Sequence, residues 1–379
     1  MRLGYLKGVA LVAVTGLVFV AGPALTANAT PNVPTKWKSG PTIPFGGGGA
    51  TRFDGALYKP TKKVFFLGFR QADNTTSGEV WSYDVAAGTF ADTGKAMPLA
   101  VSNYQIAALT DANGKLGFYI FGGRDNNGNI VTNVQIYYPA TNTTATDSAD
   151  PYPALSPSGC TPLPAMGVAA VGSKAYVLGG AAFTSSGCAN DEQTDQVWRY
   201  NAKAAAGSRW KKMPSLMTAR GYITPAVLGN KIYAIGGDLN EAGSLVAVDN
   251  VESLTVGSGS WNAETSLPEP CDESQAFAFS SGPLANTITL AGCGQWPAAN
   301  ADVNQYDTVA KTWSLSGSLV EARRNQAGVT LGKKMFILGG YASDGFTALA
   351  STEIGKSAVF GAPATRHATS AASRNATTN

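Results

Sequence analysis

The sequence predicts an all-β fold in which six four-stranded units surround a common axis. Three observations support this prediction. Glycine accounts for 44 of 379 residues and charged residues for only 14%, a composition that suits strands and tight turns better than helices. An apolar strand that ends in Gly-Gly, or in a close variant, recurs six times. Several copies are followed by an alternating strand that contains Tyr, then a turn and another aromatic residue, as expected for a repeated all-β unit.

The N-terminal segment has the order of a secretory signal peptide. Arg2 and Lys7 form a basic start, an apolar stretch covers residues 9–21, and Ala27-Asn28-Ala29 is a small-x-small cleavage motif. The apolar stretch is too short to cross a bilayer, which takes roughly 20 residues. We therefore expect residues 1–29 to be removed, with no stable membrane insertion of the mature chain. The predicted location is extracellular, or periplasmic in a two-membrane bacterium.

The Gly-Gly positions give the repeat its period. Their first glycines are residues 68, 122, 179, 236, 292 and 339, and two copies are degenerate, Gly68-Phe69 and Gly292-Cys293. One four-stranded unit cannot bury both of its faces alone, so such units must pack side by side around an axis. A pair of β-sandwiches with accidental spacing is the disfavoured alternative.

These residues resemble the Kelch repeat. The features that carry the resemblance are Gly-Gly after an apolar strand, then Tyr-Asp, then Trp six residues on, as in Tyr306-Asp307 and Trp313. The resemblance spans roughly residues 37–360 and implies a six-bladed β-propeller, expected over 30–361, with a disordered extension over 362–379. The last repeat lacks a closing Trp. Trp37 to Pro44 supplies it, so the N-terminal strand is expected to close the last blade and remove an open sheet edge.

The four cysteines of a secreted chain suggest two disulfides. Cys160 precedes the first strand of the third blade, and Cys188 follows its Gly-Gly. Cys271 and Cys293 hold the corresponding places in the fifth blade. Because these two segments leave a propeller blade from the same face, we expect the pairs Cys160–Cys188 and Cys271–Cys293.

Several classes of function are excluded by composition. A formal charge of +3 is too small to indicate that the protein binds nucleic acid. Secreted Kelch propellers include copper radical oxidases similar to galactose oxidase, which need two His ligands, whereas His367 is the only His of this chain. A single His also excludes a multi-His zinc site, and a Ser-His-Asp triad is not expected because His367 lies in the expected disordered extension. No metal or cofactor is expected. Asp125-Asn126-Asn127-Gly128-Asn129 resembles a calcium loop, but its Gly is misplaced and a polar turn is favoured.

The arginines favour one face of the expected propeller. Arg52, Arg220 and Arg323 each stand 16 residues before their Gly-Gly, so we expect them to converge at the mouth of the axis. Guanidinium forks bind carboxylates well. The candidate ligand-binding residues are Arg52, Arg70, Arg124, Arg220, Glu273, Trp296, Arg323, Arg324 and Tyr341. The alternative is that the arginines are neutralised on the same face by Asp191, Glu192, Asp238, Asp272 and Glu273.

The leading functional prediction is a non-catalytic binding module for an extracellular protein or glycan ligand, with an anionic ligand as one form. The alternative is a metal-free acid-base enzyme on an acidic sugar, similar to the sialic-acid mutarotases, which are also six-bladed Kelch proteins. A third option is a structural surface protein without a small ligand. The sequence assigns no catalytic residue, and it does not identify the ligand, the oligomeric state or the use of the sequons at Asn74, Asn142 and Asn375.

Overall fold

Six four-stranded antiparallel sheets form the blades of a β-propeller in the computed structural model, which describes residues 33–164, 166–241 and 243–358. The predicted six-bladed β-propeller is confirmed. The expected signal peptide and the expected C-terminal extension lie outside the described residues. Within the described ranges, no helix has the length and apolar character needed to span a bilayer.

The blades follow one another along the chain, and each runs from an inner first strand to an outer fourth strand. The first two blades comprise Gly55–Tyr58, Lys63–Gln71, Thr76–Asp84 and Thr89–Ala96, then Ser102–Thr110, Leu116–Arg124, Val134–Tyr138 and Thr143–Asp147. The next two comprise Gly167–Val171, Lys174–Leu178, Val197–Asn201 and Trp210–Met213, then Thr224–Leu228, Lys231–Ile235, Val251–Thr255 and Asn262–Ala263. The last two comprise Gln275–Phe279, Thr287–Gln295, Ala298–Asp307 and Thr312–Ser318, then Ala327–Leu331, Lys334–Leu338, Thr352–Ser357 and Thr35–Ser39.

The first strand of each blade contacts the first strands of both neighbouring blades, so these strands form the inner ring. Short additional elements lie where the second strands end. They are the strand Ala50–Thr51, the pairs Ala181–Ala182 with Glu192–Gln193 and Asp238–Glu241 with Ser244–Ala247, and the 3-10 turn Thr184–Ser186. These elements thicken one face of the propeller, which is the face that carries the candidate site.

The N-terminal strand closes the sixth blade, as predicted. Thr35–Ser39 pairs antiparallel with Thr352–Ser357, with Trp37 opposite Gly355. The ladder continues through the Gly40 N–H, which donates to the Thr352 carbonyl. The strand is shorter than the expected segment Trp37 to Pro44 and begins two residues earlier. The closure removes the sheet edge that the sixth blade would otherwise expose.

The Tyr and Trp residues that mark the sequence repeat form cross-strand pairs in the structure. Tyr200 lies directly opposite Trp210 and Tyr306 opposite Trp313 on the third and fourth strands, with ring centroids 5.1 and 4.9 Å apart. Such pairs stabilise a sheet beyond the area that they bury. In the sixth blade the Tyr position is Gly355, and the Trp37 indole lies directly over it.

The Gly-Gly positions are required by a close approach of backbones. Gly236 has a φ of +57°, and a Cβ there would collide with the carbonyl oxygen of Cys271. A side chain at this position would therefore be strained and would clash. The buried apolar side chains pack mainly between neighbouring blades, for example Tyr119 and Phe121 against Tyr200. The propeller is thus held together by blade-to-blade packing around the ring.

Candidate functional site

A set of residues in the left-handed conformation marks the mouth of the axial channel. In five blades the residue that leads into the first strand has φ between 47° and 60°, and we call this place the mouth position. The mouth residues are Arg52, Asn103, Tyr222, Glu273 and Asn325. All five line a central cavity. The corresponding residue of the third blade is outside the described residues.

A second set of residues surrounds the mouth residues. Each of its members stands two places after the first Gly of a Gly-Gly. This residue pairs with the residue just before the mouth position. We call this place the rim position. The rim residues in five blades are Arg70, Arg124, Asp238, Gly294 and Tyr341, opposite Thr51, Ser102, Gly221, Asp272 and Arg324 respectively.

The predicted equivalence of Arg52, Arg220 and Arg323 is wrong. The turn between the first two strands has four residues in the first blade, between Tyr58 and Lys63, but two in the fourth blade, between Leu228 and Lys231. Counting 16 residues back from Gly-Gly therefore reaches different places. Tyr222, and not Arg220, corresponds to Arg52.

Arg220 and Arg323 are fully buried and do not open into the channel. Arg220 forms an ion pair with Glu252 and donates to the carbonyls of Gly236 and Ala234. Arg323 pairs with Glu353 at 2.8 Å and donates to the Gly339 carbonyl at 2.7 Å. The expectation that these two arginines contact a ligand is corrected accordingly, because they hold the connection between blades to the third strand.

Glu252 and Glu353 also accept backbone N–H groups from the same connections, those of Met217 at 2.6 Å and Val320 at 2.7 Å. In the second blade, Gln135 occupies the same strand position and accepts the Leu99 N–H at 2.8 Å. The residue equivalent to Arg220 is there Val101. In these three blades, the third-strand position is therefore a glutamate where an arginine faces it and a glutamine where a valine does.

Arg324 is also buried and is locked in place. Its guanidinium pairs with Glu273 and donates to the carbonyls of Pro297 and Gly345. It lies over the Tyr341 ring, 5.0 Å from the centroid. Tyr341 is itself 6% exposed. Arg324 therefore positions Glu273 and Tyr341, and its predicted direct contact with a ligand is not supported by its burial.

Arg52, Arg70 and Arg124 form a cationic wall and make no ion pair with any described acidic side chain. Arg52 and Arg124 both donate to Oδ1 of Asn103, at 3.1 and 3.3 Å. Arg70 donates to Asn74 at 3.2 Å. Among the described residues, no carboxylate lies within 4 Å of these three guanidinium groups. None of the three therefore forms an ion pair with another described residue.

The three arginines act on one another and on nearby phenols. Burial and the charge of Arg52 lower the pKa of Arg70. Burial lowers the pKa of Arg124, and Arg52 and Arg70 lower it further. Burial alone would lower the pKa of Arg52, but Tyr222, Tyr341 and Glu273 outweigh it and the net pKa is raised. Burial would raise the pKa of Tyr341, but Arg52 and Arg70 reverse this and lower it.

An acidic wall faces the same cavity from the fourth and fifth blades. Asp238 and Asp272 are almost fully buried. Burial first, and then the charge of Glu273, raise the pKa of Asp238 to about 8. Burial, Glu273 and Asp238 raise the pKa of Asp272 well above its ordinary value. Arg52, Arg124, Asp238, Asp272 and Glu273 all line a cavity of ≈ 700 Å³.

Aromatic rings complete this cavity. Phe183, Tyr222 and Trp296 contribute to its lining, and Trp296 is 53% exposed. Trp296 also packs edge-on against the exposed Phe346, with ring centroids 6.3 Å apart. Exposed rings of this kind can stack on a sugar or pack against a peptide. The structure thus brings together five predicted site residues, Arg52, Arg70, Arg124, Glu273 and Trp296, on one face.

Both predicted disulfides are present. Cys160–Cys188 and Cys271–Cys293 have Cα–Cα distances of 5.6 and 5.5 Å. Cys271 immediately precedes Asp272, so the second bridge ties the acidic wall to the end of its Gly-Gly strand. The first bridge anchors the segment after Gly-Gly in the third blade, which carries Phe183.

The calcium-like segment forms a polar turn. Asp125 Oδ1 accepts the backbone N–H groups of Asn127 and Asn129, at 2.8 and 2.9 Å. Within the described part of the chain, no three His, Cys, Asp or Glu side chains are grouped to hold a metal ion. The sequon residue Asn142 accepts the Tyr137 hydroxyl and donates to the Thr93 carbonyl, so its amide already has structural partners.

Sequence reasoning missed the mouth residues Asn103, Tyr222 and Asn325. It treated Asp238 only as a neutralising group. Two signals could have found them. Asn is enriched in the left-handed conformation, and Asp238 stands at the same distance after Gly-Gly as Arg70 and Arg124.

The fold and this site define a class of protein, the six-bladed propellers whose loops on one face surround a central cavity. A model of the KLHDC2/KLHL20/DRC7 Kelch-repeats domain matches residues 115–340. This match covers more than half of the chain, and the chain therefore belongs to the Kelch-repeat family.

The chain is also similar to several known proteins. Kelch-like protein 23 of Pongo abelii is 26% identical over 179 residues, 47% of this chain and 30% of that protein. Alpha-scruin of Limulus polyphemus is 27% identical over 139 residues, 36% of this chain and 14% of that protein. The matches thus span less than a third of either relative. A solved structure titled "Structure of YjhT" aligns with a TM-score of 0.63 at 16% identity, over 83% of this chain and 95% of that one, a likeness of fold.

Proposed function

We propose that this chain is a secreted, non-catalytic binding module that recognises an anionic group of an extracellular protein or glycan ligand. Arg52, Arg70 and Arg124 are the residues that contact the anionic group. Trp296 provides apolar contact at the edge of the cavity. Kelch domains commonly bind proteins, and a protein partner is therefore the first ligand to test.

The supporting observation is the cationic wall, with three guanidinium groups and no carboxylate within 4 Å among the described residues. Buried or half-buried charges in proteins are normally paired. Three other arginines of this face follow that rule, because Arg220, Arg323 and Arg324 each form an ion pair with a glutamate. A set of guanidinium forks without such partners is suited to a carboxylate, sulfate or phosphate of a ligand.

Each substitution in the test introduces a residue that this chain already has at the equivalent position of another blade. Arg52→Asn introduces the residue found at the mouth position of the second and sixth blades, where φ is also positive. Arg124→Ala introduces the residue that Ala181 provides at the rim position of the third blade. Binding of the wild-type protein and these variants to arrays of acidic peptides and acidic glycans is measured. Lys333→Ala, in an exposed turn on the opposite face, removes one positive charge as the matched control.

We expect each arginine variant to weaken binding tenfold or more, because a charge-assisted hydrogen bond contributes about 1.5–3 kcal/mol. Lys333→Ala should leave binding unchanged. Equal loss in Lys333→Ala would mean that only net charge matters, and unchanged binding by Arg52→Asn and Arg124→Ala would refute the proposed site.

Secretion is a separate part of the proposal. The N-terminal segment has the order of a signal peptide, and two disulfides are compatible with an oxidising compartment. N-terminal sequencing of the protein recovered from outside the cytoplasm should find a start near Thr30. Recovery of an intact N-terminus from the cytoplasm alone would contradict it.

A second candidate is acid-base chemistry on an acidic sugar, like that of the sialic-acid mutarotases. It is favoured by one observation, the raised pKa of about 8 of Asp238, because a general acid works best when its pKa lies near the working pH. The arginines would hold the acidic group of the sugar. Interconversion of the anomers of a sialic acid, followed by NMR, tests it. Acceleration by the wild-type protein that is lost in Asp238→Asn would support the enzyme, and no acceleration would exclude it.

A further inference from the structure

The charges of the candidate site are divided between two sides of the propeller. The first and second blades contribute Arg52, Arg70 and Arg124 at the mouth and rim positions. The fourth and fifth blades contribute Asp238, Asp272 and Glu273 at or beside the same positions. One cavity of ≈ 700 Å³ is lined by members of both groups, a volume within the usual range of small-ligand pockets.

The acidic side has buried carboxyl oxygens without partners. Asp238 is 0% exposed and Asp272 2%. Neither oxygen of Asp238 has a hydrogen-bond partner among the described residues, and neither has Oδ1 of Asp272. Buried polar side-chain atoms are nearly always hydrogen-bonded, and exceptions call for an explanation.

Neighbouring groups do not supply the missing positive charge. Arg324 is committed to Glu273 and to two backbone carbonyls. Arg52 and Arg124 line the same cavity but lie more than 4 Å from both aspartates. The side-chain amide of Gln193 lies beside Asp238 and lowers the pKa of that carboxyl group, but it carries no charge. The two carboxyl groups therefore face the cavity without a counterion from the described chain.

We propose that the cavity binds a dipolar ligand, the size of a short peptide, whose ammonium group contacts Asp238 and Asp272 while its anionic group contacts Arg52 and Arg124. The anionic half of this inference rests on the proposed function, and the cationic half does not. The ligand's positive charge completes the acidic side, and its negative charge completes the cationic wall. Tyr222 and Trp296 line the same cavity and cover the apolar part of the ligand.

The experiment compares one tripeptide library in three forms, with free termini, with acetylated amino groups, and with amidated carboxyl groups. Acetylation removes the ammonium charge, and amidation removes carboxylate charge. The full-length protein is incubated with each form, and retained peptides are quantified by affinity-selection mass spectrometry. We expect the free form to be enriched tenfold or more over both modified forms.

Two sets of variants assign the charges to the two walls. Asp238→Asn with Asp272→Asn should abolish discrimination against acetylated peptides and keep discrimination against amidated ones. Arg124→Ala should do the reverse. Burial raises the pKa of both aspartates, so asparagine replaces a neutral carboxylic acid of nearly the same shape when no ligand is bound. The double variant should therefore melt no lower than the wild type without ligand, which separates a ligand-binding role from a structural one.

The outcomes distinguish this inference from the proposed function. If acetylated peptides bind as well as free ones and amidated peptides do not, the dipolar inference is overturned and anion binding stands. If amidation has no effect, the proposed anion site fails. Retention of no peptide in any form overturns the dipolar inference, as does an unaltered preference in the double asparagine variant.

Discussion

At the scale of single residues, chemically identical side chains have opposite roles according to the length of a turn several residues away. Arg52 lies at the mouth position with its guanidinium in a cavity, whereas Arg220 and Arg323 lie two register places earlier and are buried against glutamates. The sequence shows three arginines at one spacing. Only strand pairing shows that the first hairpin turn is two residues longer, and this length decides which arginine lines the cavity.

The Arg220–Glu252 pair gives the first prediction. Arg220→Val should lower the free energy of unfolding by about 3–5 kcal/mol, because it leaves Glu252 buried without its counterion. Arg220→Val with Glu252→Gln copies Val101 and Gln135 of the second blade, and it should recover part of that loss. Urea denaturation measures both, with the exposed Lys212→Ala as control. A double variant less stable than Arg220→Val alone would show that the pair is not interchangeable with the second-blade arrangement.

Glu264 gives a prediction about pH. Burial alone would raise its pKa, but hydrogen bonds from Lys231, Ser253 and Tyr306 outweigh it and lower the pKa to about 2. A depressed folded-state pKa contributes stability that is present above the ordinary value, near 4.5, and is lost as the pH falls toward 2. Glu264→Gln should therefore be less stable than the wild type at pH 7, and the difference should shrink between pH 4.5 and 2. Denaturation at several pH values tests this.

A matched control for that experiment is Glu241→Gln, which changes an exposed carboxylate that forms no ion pair with another described residue. It should have little effect at either pH. If the gap between Glu264→Gln and the wild type stayed constant from pH 7 to pH 2, the carboxylate of Glu264 would not be the titrating group.

At the scale of the element, the strand patterns could be predicted because each blade repeats the same physical requirements. A buried second strand, a Gly-Gly at the close approach, and an aromatic pair across the outer strands leave a signature in six copies. Loops carry no such signature, because their lengths vary without disturbing the core. Counting from Gly-Gly places Asp238 level with Arg124, whereas Asp272 lies in a connection before a first strand, and its place in the cavity follows only from its pairing with Gly294.

The closing strand gives the element-scale prediction. Deleting residues 35–39 removes a five-residue ladder and the Trp37 ring that packs over Gly355. The loss of stability should exceed the about 3–5 kcal/mol that truncation of one large buried aromatic costs, and the whole propeller should melt earlier in one transition. Differential scanning calorimetry measures this, with Lys36→Ala, an exposed change on the same strand, as control. An unchanged melting temperature after the deletion would place the strand outside the cooperative unit.

At the scale of the whole molecule, the core is distributed between blades, and the disulfides are a small part of it. The two disulfides join segments 28 and 22 residues apart on the cavity face. Reduction should therefore cost at most about 2–4 kcal/mol per bridge, while the β-sheet circular dichroism spectrum persists. Thiol titration of the denatured protein should find no free thiol before reduction. Two free thiols at that stage, or loss of the β spectrum on reduction, would contradict the arrangement.

The closing strand also imposes an order of events on biosynthesis. Ser39 has its partner at Glu353, so the strand must wait for more than 300 further residues before it can pair. At ribosomal rates of about 5–20 residues per second, that interval is on the order of 15–60 s. Five complete blades can assemble in this time, while the strand that carries Trp37 stays unpaired. We expect newly made chains to be most prone to strand exchange and aggregation until the last blade appears.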